Sequence, residues 1–332
     1  MTKKGRILSG MRPTGNLHLG HMVGALRNWS ALQAEFDCFY FVADHHALMS
    51  EAERPEVIRE STLSNVADWI ACGVDPDVAT IFVQSHLPEH AELHVILSCI
   101  TPLGWLERCP TYKEQLVELE KGGKDIRNYA FLGYPVLQCA DIIMYKANYV
   151  PVGDDQIPHL ELTREIVRRF NRMFGEVFPE PQPKLTETPR LLGLDRRKMS
   201  KSYGNCIFLG DSADEIAAKI STMYTDPARV RKSDPGHPDE CNVCDYFRTF
   251  APERADEVTA KCTGAQWGCT DCKKELAAVL DAILEPIRTR RTQLLADREE
   301  LERIILEGTD RARRVARETM AEVKKAVGYW GT

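Results

Sequence analysis

The sequence predicts an α/β protein: a parallel, doubly wound sheet followed by a region built from helices. Three observations carry this prediction. Short apolar runs alternate with segments of helical period through the first hundred residues, the order that builds a parallel sheet. Beyond about residue 190 strand signals thin out and charge-laced helical periods take over. Between the two regimes stands PQPKLTETPR, Pro-rich and poorly periodic.

In chain order, GRILSG (5–10) reads as the first strand and MRPTG as the loop that leaves it. Val23, Leu26 and Leu32 recur near helical spacing from Leu19 on, so a helix starts close to His18. CFYFVAD (38–44) is a buried strand with a polar end. Residues 54–73 form a helix that stops at a glycine, ATIFVQS (79–85) is a third strand, and a helical stretch over 91–100 follows a proline break. Helices are expected over 212–224, 273–296 and 309–327. A boundary near 185–195 divides the chain into a Rossmann-like domain, residues 1–190, and a helical domain, residues 191–332. The length of 332 residues suits one large and one smaller domain.

Composition narrows the class. Hydrophobic residues at 43% supply a sizeable core, and a net charge of −6 gives no support to a general nucleic-acid coat, leaving room for local basic patches. The N-terminus lacks the apolar centre of a signal peptide, and no run approaches the ~20 apolar residues needed to span a bilayer, so a cytoplasmic protein free of membrane is expected. The cysteines number 11, an odd count that argues against a disulfide framework in such a compartment. Cys38, Cys72, Cys99, Cys109, Cys139 and Cys206 are scattered and read mostly as small core residues. The other five crowd together as C-x2-C-x17-C-x6-C-x2-C, from Cys241 to Cys272. Four thiolates can hold tetrahedral zinc or an iron–sulfur cluster.

PTGNLHLGH (13–21) sits where the first strand gives way to a helix. Ligands of doubly wound sheets bind beyond the carboxyl ends of the strands, and a helix N-terminus favours phosphate. His18 and His21 share one face of the first turn, and Gly20 lets a ligand approach the backbone. Far downstream, RRKMSKS (196–202) places Lys198 and Lys201 around serines in a loop able to meet a pyrophosphate. The pair of motifs resembles the signatures of the class I aminoacyl-tRNA synthetases, over essentially the whole chain. GYPVLQCADIIMY (133–145), VPVGDDQIPHLELTREIVRRFN (150–171) and the opening SGMRPTG are similar to tryptophanyl-tRNA synthetases within that class.

The resemblance implies ligation of tryptophan to tRNA(Trp) in two steps: the tryptophan carboxylate attacks the α-phosphate of ATP, and the aminoacyl group then moves to the terminal ribose of the tRNA. Catalysis would rest on positioning and charge stabilisation. Asp141 is the expected acceptor for the indole N–H, its apolar neighbours placing it on the buried side of a helix. Tyr134 and Gln156 would hold the ammonium, with Leu8, Gly10, His46, Val150 and Val152 as walls. Gln138 stands where many family members carry methionine, and this Tyr-x-x-x-Gln-x-x-Asp pattern keeps a tyrosyl enzyme as the alternative. A further alternative is a non-catalytic, metal-containing RNA-binding relic, against which the intact His18, His21, Lys198, Lys201 and Asp141 argue.

For ATP with Mg²⁺, the resemblance implies Arg12, Pro13 and Thr14 as its frame, His18, Gly20 and His21 at the helix start, Gly153, Asp154 and Asp155 near the ribose, and Leu191 near the adenine. Met199, Ser200 and Ser202 accompany Lys198 and Lys201 in the phosphate loop, and Lys113 adds a third cation. The 191–332 part would then carry this loop and bind the tRNA anticodon. Some bacterial relatives hold a [4Fe–4S] cluster on C-x22-C-x6-C-x2-C. Cys262, Cys269 and Cys272 match the last three positions, and Cys241 is the choice for the fourth ligand, with Cys244 a bystander. The first gap is shorter here, and zinc is the alternative. The amphipathic stretch 311–325, with RVRKS (229–233) and RTRR (288–291) as weaker candidates, offers basic surface to the tRNA. The family implies a homodimer.

Overall fold

The computed structural model describes residues 3–109, 128–153, 156–185 and 191–331. Five strands form one sheet: β1 (Arg6–Met11), β2 (Asp37–Val42), β3 (Thr80–Val83), β4 (Tyr149–Val152) and β5 (Gln182–Leu185). Their order is β3-β2-β1-β4-β5, and every pairing is parallel. The winding reverses at β1, so the crevice of a doubly wound fold opens beyond the C-terminal ends of β1 and β4.

The connections follow local chemistry. After β1 the chain turns through Gly15, whose φ of +103° suits a residue without a Cβ. His18 then caps the helical run, its ring accepting from the Gly20 N–H. That run starts as α1 (Leu19–His21), widens to π geometry over Met22–Leu26 and tightens again as α2 (Arg27–Leu32). The helices α3 (Asp44–Glu51), α4 (Glu56–Ala71), α5 (Glu89–Ser98) and α6 (Leu103–Glu107) precede α7 (Tyr129–Met144), which begins where Asn128 accepts from the Phe131 N–H. Then comes α8 (Ile157–Phe174), a strongly one-sided helix that ends at Gly175 with φ +99°.

Beyond β5, among the described residues, the chain is helical: α9 (Ala213–Ser221), α10 (Asn242–Phe250), α11 (Ala255–Thr263), α12 (Cys269–Ala296) and α13 (Arg298–Val327). A Ser212/Glu215 capping box starts α9, and Asp297 caps α13. These helices are not held at a distance from the sheet. One core joins Ile7, Tyr40 and Ile81 of the strands to Leu276, Leu280 and Leu301 of α12 and α13. Arg291 of α12 donates to the buried Asp68 of α4 at 2.6 Å. Gly308 of α13 lies directly on the backbone of Ile81, where a Cβ would sit 1.8 Å from the carbonyl oxygen.

Two elements differ from expectation. PQPKLTETPR opens with β5, because an edge strand tolerates a proline that a central one would not; Pro183 sits in register with Val150. And α13 starts at Arg298 rather than 309. Gly308 reads as a stop in sequence, yet pairs such as Arg298–Glu302 and Arg303–Glu307 support the helix before it, and the glycine serves close packing.

Candidate active site

The C-terminal ends of β1 and β4, with α3 and α7, enclose a cavity of about 370 Å³. Leu8, Gly10, His46, Tyr134, Gln138, Asp141, Val150, Val152 and Gln156 all line it, with Arg12 at the rim. Phe41, Met49, Phe131 and Ile142 complete the walls. Gly10 is required there: a Cβ would meet the Phe41 ring at 2.5 Å.

Asp141 is 1% exposed, at the inner end of the cavity. Its Oδ1 accepts from Gln84 Nε2 at 2.8 Å and from His90 Nδ1 at 2.7 Å, and its Oδ2 accepts from His46 Nε2 at 2.9 Å. Burial alone would raise this carboxyl, but the bonds from His46 and His90 outweigh it and hold it down at about 2. The carboxylate is therefore ionised and acts only as an acceptor, which places the proton of His90 on Nδ1. Its Nε2 then accepts from the Tyr145 hydroxyl at 2.7 Å. Among the described residues two donors fill Oδ1, and Oδ2 has one and keeps a lone pair. Gln84 and His90 escaped the sequence reading. The buried polar string FVQSHLPEH at the end of β3 was the available signal, since buried glutamine and histidine need partners.

Tyr134 lies beside His159, with 2.9 Å between the hydroxyl and Nε2, and edge-on to His46. Burial pushes the Tyr134 phenol up, so it stays protonated.

The second constellation lies at the start of α1. His18 Nδ1 accepts from the Gly20 N–H at 3.1 Å, and His21 Nδ1 accepts from the His18 N–H at 3.2 Å. Both rings are thus fixed with their protons on Nε2, as donors. Burial and the nearby Lys201 push His18 down to about 4; burial, His18 and Lys201 push His21 well down too. These are neutral imidazoles at pH 7. Lys201 Nζ donates to the Thr14 carbonyl at 3.0 Å, and burial brings its ammonium down to about 8.

The Lys198–Ser202 loop meets this helix start directly. Met199 is buried, with its sulfur 3.4 Å from where a Cβ on Gly20 would stand. Asn205 pins the loop: its Oδ1 accepts from Ser200 N at 2.9 Å, while its Nδ2 donates to Asp195 and to the Lys198 carbonyl. Ser200 and Ser202 share a hydroxyl contact, and Lys198 is exposed. Pro13 is buried beside Thr14, Leu191 is half-buried against the core, and Gly153 follows β4. Lys113, Asp154 and Asp155 lie outside the described residues.

Cys241, Cys244, Cys262, Cys269 and Cys272 line one small cavity with Arg229 and Trp267. The Arg229 guanidinium approaches Cys262 Sγ at 3.8 Å. The Cys244 thiol and the first N–H groups of α10 draw the Cys241 thiol below its ordinary range, while Cys244 is pushed up. Among the described residues, no group of three or more His, Cys, Asp or Glu is gathered closely enough to hold a single metal ion. No helix among them is long and apolar enough to cross a membrane.

The basic stretches are partly committed. Arg311 donates to the Pro76 and Ala79 carbonyls, Arg313 to Asp310 and the His86 carbonyl, and Lys324 pairs with Glu92. Arg288 pairs with Asp281, Arg291 with Asp68, and Arg229 turns to the Trp267 carbonyl. Arg314 and Lys325 stay exposed.

A histidine pair at a helix start facing a lysine loop across the crevice of a doubly wound sheet is the arrangement of a class I synthetase. A family model described as tRNA synthetases class I (W and Y) matches residues 1–285. The tryptophan–tRNA ligase of Thermotoga maritima is 51% identical over 97% of this chain and 98% of its own length; that of Ralstonia nicotianae is 43% identical over 97% and 98%. The crystal structure of tryptophanyl-tRNA synthetase from Campylobacter jejuni, complexed with ADP and tryptophan, superposes with a TM-score of 0.89 at 31% identity, over 97% of this chain and 99% of that one. The chain belongs to the class I tRNA synthetases and, within them, to the tryptophan–tRNA ligases. The tyrosyl and relic alternatives give way to this membership.

Proposed function

We propose that the chain joins tryptophan to tRNA(Trp) through tryptophanyl-adenylate, with Asp141 reading the indole. What supports this role is the nearly filled carboxylate: three protein donors among the described residues leave one lone pair on Oδ2, beside a cavity with largely apolar walls. A site built on such a contact rejects analogues that lack the donor more sharply than an apolar slot would. Tyr134 and Gln156 hold the ammonium, and Gln138 borders the ring. In this reading residues 1–190 make the adenylate, and residues 191–332 supply the phosphate loop and the surface that meets tRNA.

ATP lies across the start of α1. His18 and His21 donate from Nε2, Arg12, Pro13 and Thr14 frame the nucleotide, and Gly153, Asp154, Asp155 and Leu191 take the nucleoside. Lys198, Lys201 and Lys113 neutralise the pyrophosphate as the tryptophan carboxylate attacks. No side-chain nucleophile is needed. Mg²⁺ accompanies ATP, held by phosphates and water. ATP–pyrophosphate exchange measured with each amino acid tests this: tryptophan alone should support it, and exchange with tyrosine would refute it.

The cysteine-lined cavity suits a [4Fe–4S] cluster ligated by Cys241, Cys262, Cys269 and Cys272. What supports this reading is that all five thiols line one cavity, in the order of the resemblance's cluster motif; zinc on four of the same thiolates is the alternative. Cys241 at the N-terminus of α10 is the better thiolate of the first pair. A brown protein with iron and sulfide supports this; a colourless protein with stoichiometric zinc refutes it. We further assign the enzyme to the cytoplasm as a homodimer, which light scattering tests.

A further inference from the structure

The helix α10 stands between the cysteine-lined cavity and the phosphate loop. It starts right after Cys241, and its first residue, Asn242, is fully buried. Asn242 Nδ2 donates to the Gly193 carbonyl at 2.7 Å. One turn further on, the buried Tyr246 donates its hydroxyl to the Leu192 carbonyl at 2.6 Å. Those two residues also hold the loop itself: Leu192 bridges to Lys198, and the Gly193 N–H donates to the Arg197 carbonyl at 2.7 Å. The approach is tight, since a Cβ on Gly193 would stand 2.2 Å from Asn205 Nδ2.

A third link comes from the residues just before α10. Arg196 has φ +65°, a conformation that a non-glycine residue keeps only where its surroundings impose it. Glu240 pairs with its guanidinium at 3.0 Å, and the Asp239 carbonyl accepts from it as well. The base of the Lys198–Ser202 loop is thus held at three points by residues 239–246, and the same short segment carries Cys241 and Cys244 into the cavity.

We propose that Asn242 and Tyr246 are positioning residues for Lys198 and Lys201, and that the cysteine-lined cavity fixes where they stand. The cavity would then act on the adenylation step through the loop, in addition to any role toward the tRNA. The proposal rests on the reading of Lys201 as a pyrophosphate partner. The cavity proposed for tryptophan is lined from a different buried cluster (Leu8, Phe41, Ile142, Val150) than the one α10 packs into (Val243, Tyr246, Phe247), so loosening α10 affects turnover and leaves tryptophan affinity alone.

Tyr246→Phe in the full chain removes one hydroxyl and keeps the ring. The expected result is a fall in kcat for ATP–pyrophosphate exchange of about five- to tenfold, the effect of one neutral hydrogen bond. The KM for tryptophan should stay within about twofold, and amide hydrogen exchange over 192–205 should quicken. Loop amides exchanging at the wild-type rate overturn the proposal whatever the kinetics, and so does a tryptophan KM that rises in step with the fall in kcat. Asn242→Ala should act in the same direction; if it does not fold, Tyr246→Phe decides alone. Cys262→Ser, on α11 and without a bond to the loop, tests the second half: quickened exchange over 192–205 supports it, and change confined to α10 and α11 overturns it. If that variant does not fold, Cys269→Ser replaces it. Wild-type exchange by Lys201→Ala would instead strike at the reading of Lys201, a separate failure.

Discussion

The Asp141 centre and the His18–His21–Lys201 edge handle charge in opposite ways. At the first, an anion is buried completely and nearly every acceptor site is filled by a protein donor, so desolvation is offset before any ligand arrives. At the second, the protein gathers donors and a cation that the proposed function turns toward the substrate: two imidazoles whose Nε2–H groups have no partner among the described residues, and an ammonium whose described bond is to one carbonyl. Burial depresses all three: the two imidazoles stand neutral, and the ammonium keeps its charge less firmly than an exposed lysine does. Under the proposed function, the site that would set specificity is pre-satisfied, and the site that would meet developing charge is left with donors to spare.

Breaking each side should give effects of different size. Asp141→Ala strands Gln84, His90 and His46 and removes the proposed indole acceptor. A loss on the order of 10³ in kcat/KM for tryptophan is expected, larger than its effect on ATP. Lys201→Ala should slow single-turnover adenylate formation on the order of 10², with tryptophan binding by equilibrium titration unchanged. Lys198→Ala, on the exposed side of the loop, should cost about tenfold in the same assay.

The pH profile sharpens the contrast. Lys201 loses its proton as pH rises through about 8, so adenylate formation should decline above that point. With His18 near 4 and His21 also depressed, no inflection is expected near 6.5; one that disappears in His18→Asn would show that an imidazolium is needed. A separate effect falls on stability. The Asp141 carboxyl sits at about 2, below its ordinary 3.8, so its contribution is complete above pH ~4 and is lost as pH falls toward 2. That is about 2 kcal/mol, measurable by denaturant titration of the wild type against Asp141→Asn.

The alternation of strands and helices was legible because β2 and β3 are nearly continuous apolar runs, as strands buried on both faces must be, and β1 adds a shorter apolar pair at Ile7 and Leu8. β5 was not legible, since QPKL carries little apolar signal and earns its place through register with β4. The cavity proposed for tryptophan was readable because its wall residues recur near strand ends and on one face of α7. What stayed hidden was every partner that acts from a distant segment: His90 and Gln84 on Asp141, Asn205 under the phosphate loop, Arg291 on Asp68. Such pairs depend on chain crossings with no local period. The basic helix shows the opposite error: its charge pattern suggests an open face, but Arg311, Arg313 and Lys324 are spent on neighbouring carbonyls and a carboxylate.

Gly308 has a consequence for the sheet as a whole. β3 is an outermost strand, and an outermost strand offers its backbone to any extended peptide that comes near. The last helix lies so close over Ile81 that no second chain can pair there, and only the missing side chain at 308 permits this closeness. A larger residue would lever the helix away and open a template for uncontrolled strand addition, so Gly308→Val should reveal itself first as aggregation, ahead of any loss of chemistry.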